Sequence, residues 1–244
     1  MKISEKLDEF LKLCDDGMNC DNAAKAMRLL GIDGYDAEDL ASFRLWSDYL
    51  PLTEEHPFTE EQRNYHILWE AVDMTLLGIN CDFSIPYRRA IAEKLFKKCG
   101  KGFICYDRCR FNLGQNIEVG DYVSINSGAY IDSKGGVEIG DYTMFAENVN
   151  IFTHSHGEEN HMERTYKKVV IGPYTMLYVN CLILPGVTTG KGSIVAARSV
   201  VSHDVPEYTM VAGTPAKEVR KRLIPEGGIE NTNHYMLRNR AFQE

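Results

Sequence analysis

No apolar run in this chain reaches the roughly 18 residues that cross a bilayer, which argues against a membrane-spanning helix. Basic residues are in the minority, 27 Lys and Arg against 35 Asp and Glu, for a net charge of −8. A broad surface that grips a phosphate backbone is therefore excluded, although a local basic pocket for one phosphorylated molecule is not. The seven cysteines are an odd number and include no Cys-x-x-Cys pair, and Cys105 and Cys109 have no second pair to complete a zinc site. They read as reduced thiols of a cytosolic protein. The opening Met-Lys-Ile-Ser-Glu-Lys-Leu-Asp-Glu-Phe is charged throughout, unlike a signal peptide. A cytoplasmic protein that binds neither membrane nor nucleic acid is expected.

What is present falls into parts with different periods. Residues 1–100 carry helix signals: Ile3, Leu7, Phe10 and Leu11 at helical spacing, Asp21 and Asp36 as caps, and Thr59 with Gln62 as a capping box. The segment capped by Asp36 is expected to end before Pro51, and a basic helix is expected from about Ser84 to Gly100. From about residue 103 large apolar residues recur every six positions. The series is Leu113, Val119, Ile125, Ile131, then Ile139, Phe145, Ile151, then Ile171, Leu177, Ile183, Thr189, Val195, Val201. Thr189 alone breaks the apolar rule. Glycine often follows the apolar residue, as at Gly120, Gly140, Gly172 and Gly190, where it is expected to help round a corner. A small or β-branched residue sits four places on, as at Ala129, Thr143, Cys181 and Ser199.

Six is neither the helical period nor a simple alternation. It fits a solenoid of flat triangular coils, in which each hexad makes one short strand and one corner and the apolar residues stack inward. The fold class expected is mainly β: a left-handed parallel β-helix over 101–215, preceded by the helical region 1–100 and followed by a short C-terminal helix and tail over 216–244. The first break, at Asp132–Val137, is a two-residue slip. The second, a polar loop over 156–170, is long enough to be functional.

These hexads resemble the hexapeptide-repeat acyltransferases. Residues 103–223 resemble, more narrowly, the maltose and galactoside O-acetyltransferases, through Asn116-Ile-Glu-Val-Gly-Asp-Tyr-Val-Ser-Ile-Asn126, Val137-Glu-Ile-Gly-Asp141, Thr153-His-Ser-His156, Ile183-Leu-Pro-Gly-Val187 and Val211-Ala-Gly-Thr-Pro-Ala-Lys217. The resemblance implies a homotrimer with sites between neighbouring β-helices, acetyl-CoA as co-substrate, a sugar-like acceptor, and no metal. It puts the catalytic histidine on His156, with His154 as the rival, and an acceptor-site asparagine on Asn126. Lys134 stands where the galactoside type has an acceptor-site aspartate, and Asp132, two residues away, is the nearby candidate for acceptor binding. For the cofactor, the resemblance implies a pantetheine arm beside Met176, Val179 and Ala197, with Ser202 also at the site and Lys217 and Arg220 near the phosphates.

The chemistry suits such residues. An alcohol attacking a thioester needs a base within hydrogen-bond reach, and imidazole, with an ordinary pKa near 6.5, accepts a proton at neutral pH. Two other classes compete. A zinc enzyme of the γ-carbonic anhydrase type would need a third histidine beside His156 and His161, and none lies in residues 101–153. A non-catalytic scaffold would have no use for the histidine loop.

Overall fold

A computed structural model describes residues 1–45 and 57–232 of the chain. Among the described residues five α-helices come first: α1 (Ile3–Asp15), α2 (Cys20–Leu29), α3 (Ala37–Ser42), α4 (Glu60–Ala71) and α5 (Cys81–Leu95). Asp36 caps α3 with bonds from Glu38 N and Asp39 N, and Thr59 and Gln62 form the reciprocal capping box of α4. The cap of α2 is Asn19, whose side chain accepts from Asn22 N, and Asp21 sits inside the first turn. The stretch approaching Pro51 lies outside the described residues, as does the tail from 233.

From Lys98 the chain winds as a parallel β-solenoid with three faces. Face 1 stacks Lys98–Cys99, Ile117–Val119, Val137–Ile139, Val169–Ile171 and Thr188–Thr189. Face 2 stacks Ile104–Cys105, Ser124–Ile125, Met144–Phe145, Met176–Leu177, Ile194–Val195 and Thr209–Gly213. Face 3 stacks Arg110–Phe111, Tyr130–Ile131, Asn150–Ile151, Leu182–Ile183 and Val200–Val201. The register aligns the hexad residues in columns: Val119, Ile139, Ile171 and Thr189 on face 1; Ile125, Phe145, Leu177 and Val195 on face 2; Ile131, Ile151, Ile183 and Val201 on face 3. All are buried, including Thr189, whose hydroxyl bonds to Gly172 N. The small residues four places on are buried too, at Ala129, Thr143, Cys181 and Ser199.

Two details differ from the hexad expectation. The face 3 column begins at Phe111, which pairs with Ile131, so the first coil has the same two-residue slip as the second and Leu113 belongs to a corner. The glycines after the apolar residues are not the corner-turning residues. The left-handed positions fall two places later, on Tyr122, Tyr142 and Tyr174 (φ 55°, 56° and 59°). Gly140 is needed for close approach instead: a Cβ there would lie 2.5 Å from Pro173 N in the next coil. The tyrosines stack on one another, with ring centroids 5.2 and 4.9 Å apart, which helps offset the backbone conformation.

The first coil is covered by α4 and α5. Trp69, Phe96 and Phe111 pack together there, and Trp69 Nε1 donates to Cys109 O at 2.6 Å. Helix α1 packs behind α5 through Phe10 on Tyr87. This cover shields an open strand edge that would otherwise pair with another chain.

At the other end the expected C-terminal helix is replaced by a strand. Ala216–Lys221 runs antiparallel to Thr209–Gly213, after a reversal with Gly213 at φ +102°. The last solenoid strand presents unpaired backbone groups, and a returning strand satisfies them where a helix would not. Arg222 then donates to Tyr174 O and Gly192 O and fastens the end. Among the described residues, no helix is long and apolar enough to cross a membrane. All seven cysteines are free; burial pushes the thiols of Cys14, Cys99 and Cys181 up to about 12.

Candidate active site

At the corner where face 3 gives way to face 1, the chain leaves the solenoid as a β-hairpin. Its strands are His154–His156 and Arg164–Tyr166, with His154 opposite Tyr166 and His156 opposite Arg164. The hairpin leaves after Ile151 and the chain rejoins face 1 at Val169, directly above Val137. His154 is therefore at the root of the hairpin and His156 further out.

Asp132, on the coil below, is fully buried. Its carboxylate accepts from four groups: Asn112 Nδ2 at 3.1 Å, Lys134 Nζ at 3.0 Å, Thr153 N at 3.2 Å and the ring of His154 through Nδ1. Burial pushes this carboxyl upward, but the bond to His154 and the charge of Lys134 outweigh it and hold it below the ordinary value. The arrangement is braced further. Thr153 Oγ1 donates to Asp132 O and accepts from Gly135 N, while Tyr130 donates to Asn112. With Nδ1 committed to the carboxylate, Nε2 becomes the lone-pair nitrogen of neutral His154. His156 is exposed, and its Nδ1 meets the carbonyl of His161 at 2.7 Å rather than a carboxylate.

Of the residues expected at the site, Asp132 comes together with His154. Asn126 does not: it sits at the corner between faces 2 and 3, where its Nδ2 donates to Glu147 Oε1 at 2.8 Å. Val179 and Ala197 lie higher on that same edge, in the turns after Met176–Leu177 and Ile194–Val195. Met176 is on face 2, its sulfur accepting from Arg222. Ser202 follows face 3 and meets His203 Nδ1 at 3.0 Å. Lys217 and Arg220 are on the terminal strand, opposite Ala212 and Met210. Within one protomer, then, face 3 separates the Asn126 edge from the His154 corner. Asn112, Thr153 and Lys134 hold the dyad of Asp132 and His154 together; Thr153 opens the Thr-His-Ser-His motif and Lys134 stands at an acceptor-site position of the family, whereas Asn112 carries no motif and its trace is its place one coil before Asp132.

Comparison with known proteins gives the following. No family model matches the chain. "Putative acetyltransferase YJL218W" of Saccharomyces cerevisiae is 34% identical over 150 residues, covering 59% of this chain and 74% of the relative. A crystal structure of the hexapeptide-repeat-containing acetyltransferase VCA0836 from Vibrio cholerae, complexed with acetyl-CoA, is 30% identical with a TM-score of 0.55, covering 60% of this chain and 84% of that one. The chain belongs to the hexapeptide-repeat acetyltransferases. "Putative lipopolysaccharide biosynthesis O-acetyl transferase WbbJ" of Escherichia coli is 40% identical over 122 residues, but this acetyltransferase matches only 59% of WbbJ's length and 45% of its own. Among the described residues no group of three or more His, Cys, Asp or Glu is placed to hold a metal ion.

Proposed function

We propose that the chain transfers the acetyl group of acetyl-CoA directly to a hydroxyl of a sugar or glycoside, with His154 as general base. The observation that carries this reading is the buried carboxylate of Asp132 on His154 Nδ1, at the corner where the hairpin leaves the coil. Such a carboxylate fixes the tautomer and stabilises the imidazolium that forms as the hydroxyl is deprotonated. The alkoxide oxygen attacks the thioester carbonyl, the tetrahedral intermediate collapses, and the imidazolium returns its proton to the leaving CoA thiolate. No acyl-enzyme is needed. The family resemblance points to His156; the buried carboxylate on His154, against a backbone carbonyl on His156, favours His154 for the role.

The site is completed by a second copy of the chain. Asn126, Val179 and Ala197 share an edge that His154 does not reach within its own protomer. A homotrimer pairs that edge of one copy with the His154 corner of the next. Acetyl-CoA would then lie along the edge, with Met176 on the adjoining face, Ser202 on the facing corner of the next copy, and Lys217 and Arg220 supplying cations to its phosphates.

The test is release of CoA thiol from acetyl-CoA across a panel of mono- and disaccharides. His154→Gln should lower kcat at least about a hundredfold and His156→Gln less than tenfold. The reverse order assigns the base to His156.

A further inference from the structure

Beside the dyad, at the same corner, opens a cavity of about 270 Å3. Its wall includes Lys97, Lys134, Lys168 and Glu118, over a floor of Gly135 and Gly136. The three lysines come from separate stretches: Lys97 ahead of the first strand, Lys134 in the corner before Val137–Ile139, and Lys168 at the return from the hairpin. The lining itself holds three lysines and one carboxylate, and the two further carboxylates that meet these lysines, Asp132 and Glu138, lie outside it. Glu118 is shared between Lys97 at 2.7 Å and Lys168 at 3.9 Å, and Lys168 also reaches Glu138, outside the lining, at 2.7 Å.

The floor is shaped by what it lacks. A Cβ on Gly135 would lie 2.7 Å from Thr153 O and 2.8 Å from Lys167 N, so the corner can close under the hairpin only with glycine there. A Cβ on Gly136 would meet nothing nearer than Lys168 Cγ at 3.7 Å, so the space it leaves belongs to the cavity. The inner wall is tied to the dyad. The side chain of Lys134 is only 9% exposed, its Nζ holds Asp132 Oδ1, and the other oxygen of that carboxylate holds His154. A group seated against Lys134 is thus two hydrogen bonds from the imidazole.

We propose that this cavity receives an anionic group of the acceptor, a carboxylate or a phosphate, so that the acceptor is an acidic sugar. The position of that group relative to the reacting hydroxyl rests on the His154 reading above; the binding of the anion does not.

Calorimetric titration of the full-length protein with glucuronate, inorganic phosphate and neutral glucose tests this. Either anion, or both, should bind at least about tenfold more tightly than glucose, and binding should weaken as salt is raised. Glucuronate alone identifies a carboxylate and phosphate alone a phosphate. The double variant Lys97→Gln/Lys168→Gln should lose about tenfold in affinity for the anion. Lys97→Glu/Lys168→Glu should lose more, and circular dichroism of both variants checks that they fold. Anions that bind no better than glucose, or as well to the folded Gln variant as to the parent, overturn the proposal. The base assignment fails separately: a His154→Gln protein that still releases CoA thiol at the parental rate refutes it whatever the anions do.

Discussion

Replacing Asp132 by asparagine keeps the shape of the side chain and removes its charge. The carboxylate accepts from Asn112, Lys134, Thr153 and His154, whereas an amide offers one oxygen and turns its NH2 toward groups that are themselves donors. Lys134, nearly buried, loses its counter-charge. Breaking a buried pair in this way costs about 3–5 kcal/mol of stability. The effect on catalysis is separate. With His154 as the proposed base, the imidazolium of the transition state would no longer be faced by a negative charge, and kcat should fall about 100- to 1000-fold, which at 1.36 kcal/mol per decade is about 2.7–4 kcal/mol. The assay is CoA thiol release at saturating acetyl-CoA, run well below the melting temperature of the variant and accompanied by thermal unfolding of both proteins. A folded Asp132→Asn protein with kcat within threefold of the parent would refute the argument, because it would show that the carboxylate only holds the corner together.

Asp132 also predicts a pH dependence. Its carboxyl is held below the ordinary value in the folded state, so its stabilisation is fully present above the unfolded value near 3.9 and is lost as pH falls through the folded one. The melting-temperature gap between the parent and Asp132→Asn should therefore be constant from pH 7 to about 5 and narrow below about pH 4; a gap that widens in acid contradicts this. Ile183→Asp puts a charge in a fully buried column and should prevent formation of the native solenoid, so a soluble variant with the parental circular dichroism spectrum would contradict its inward position. Gly172→Ala places a Cβ 2.5 Å from Thr189 O and should cost about 1–3 kcal/mol in denaturant unfolding, whereas an unchanged midpoint would mean that the coils have room to separate.

The solenoid was legible because a six-residue period records which side chains stack, and stacking is repeated in every coil. Phe111 escaped because its spacing to Leu113 interrupts the period at a corner. The tyrosines at positive φ escaped because glycine is the usual signal for that conformation, and here ring stacking sustains the turn instead. The terminal strand reads as a helix in sequence because a short charged segment has weak preferences of its own, and the edge of Thr209–Gly213 decides its form. At the site, the two histidines of Thr-His-Ser-His are indistinguishable by local pattern. What separates them is Asp132, 22 residues away from His154 and brought to it by the coil spacing. That Asn126, Val179 and Ala197 share one edge, and that face 3 separates this edge from His154, appears only once the faces are built.

The corners absorb differences in length that the faces never register. Val119 and Ile139 are successive rungs in one column, and so are Ile139 and Ile171, although the second step contains the whole hairpin. A solenoid of this kind treats an excursion as a detachable fitting, since the rungs above and below meet whether the detour is long or short. The part of the hairpin beyond its root at His154 is accordingly what an exchange would alter to retune the acceptor, with the proposed base and the scaffold on either side left in place.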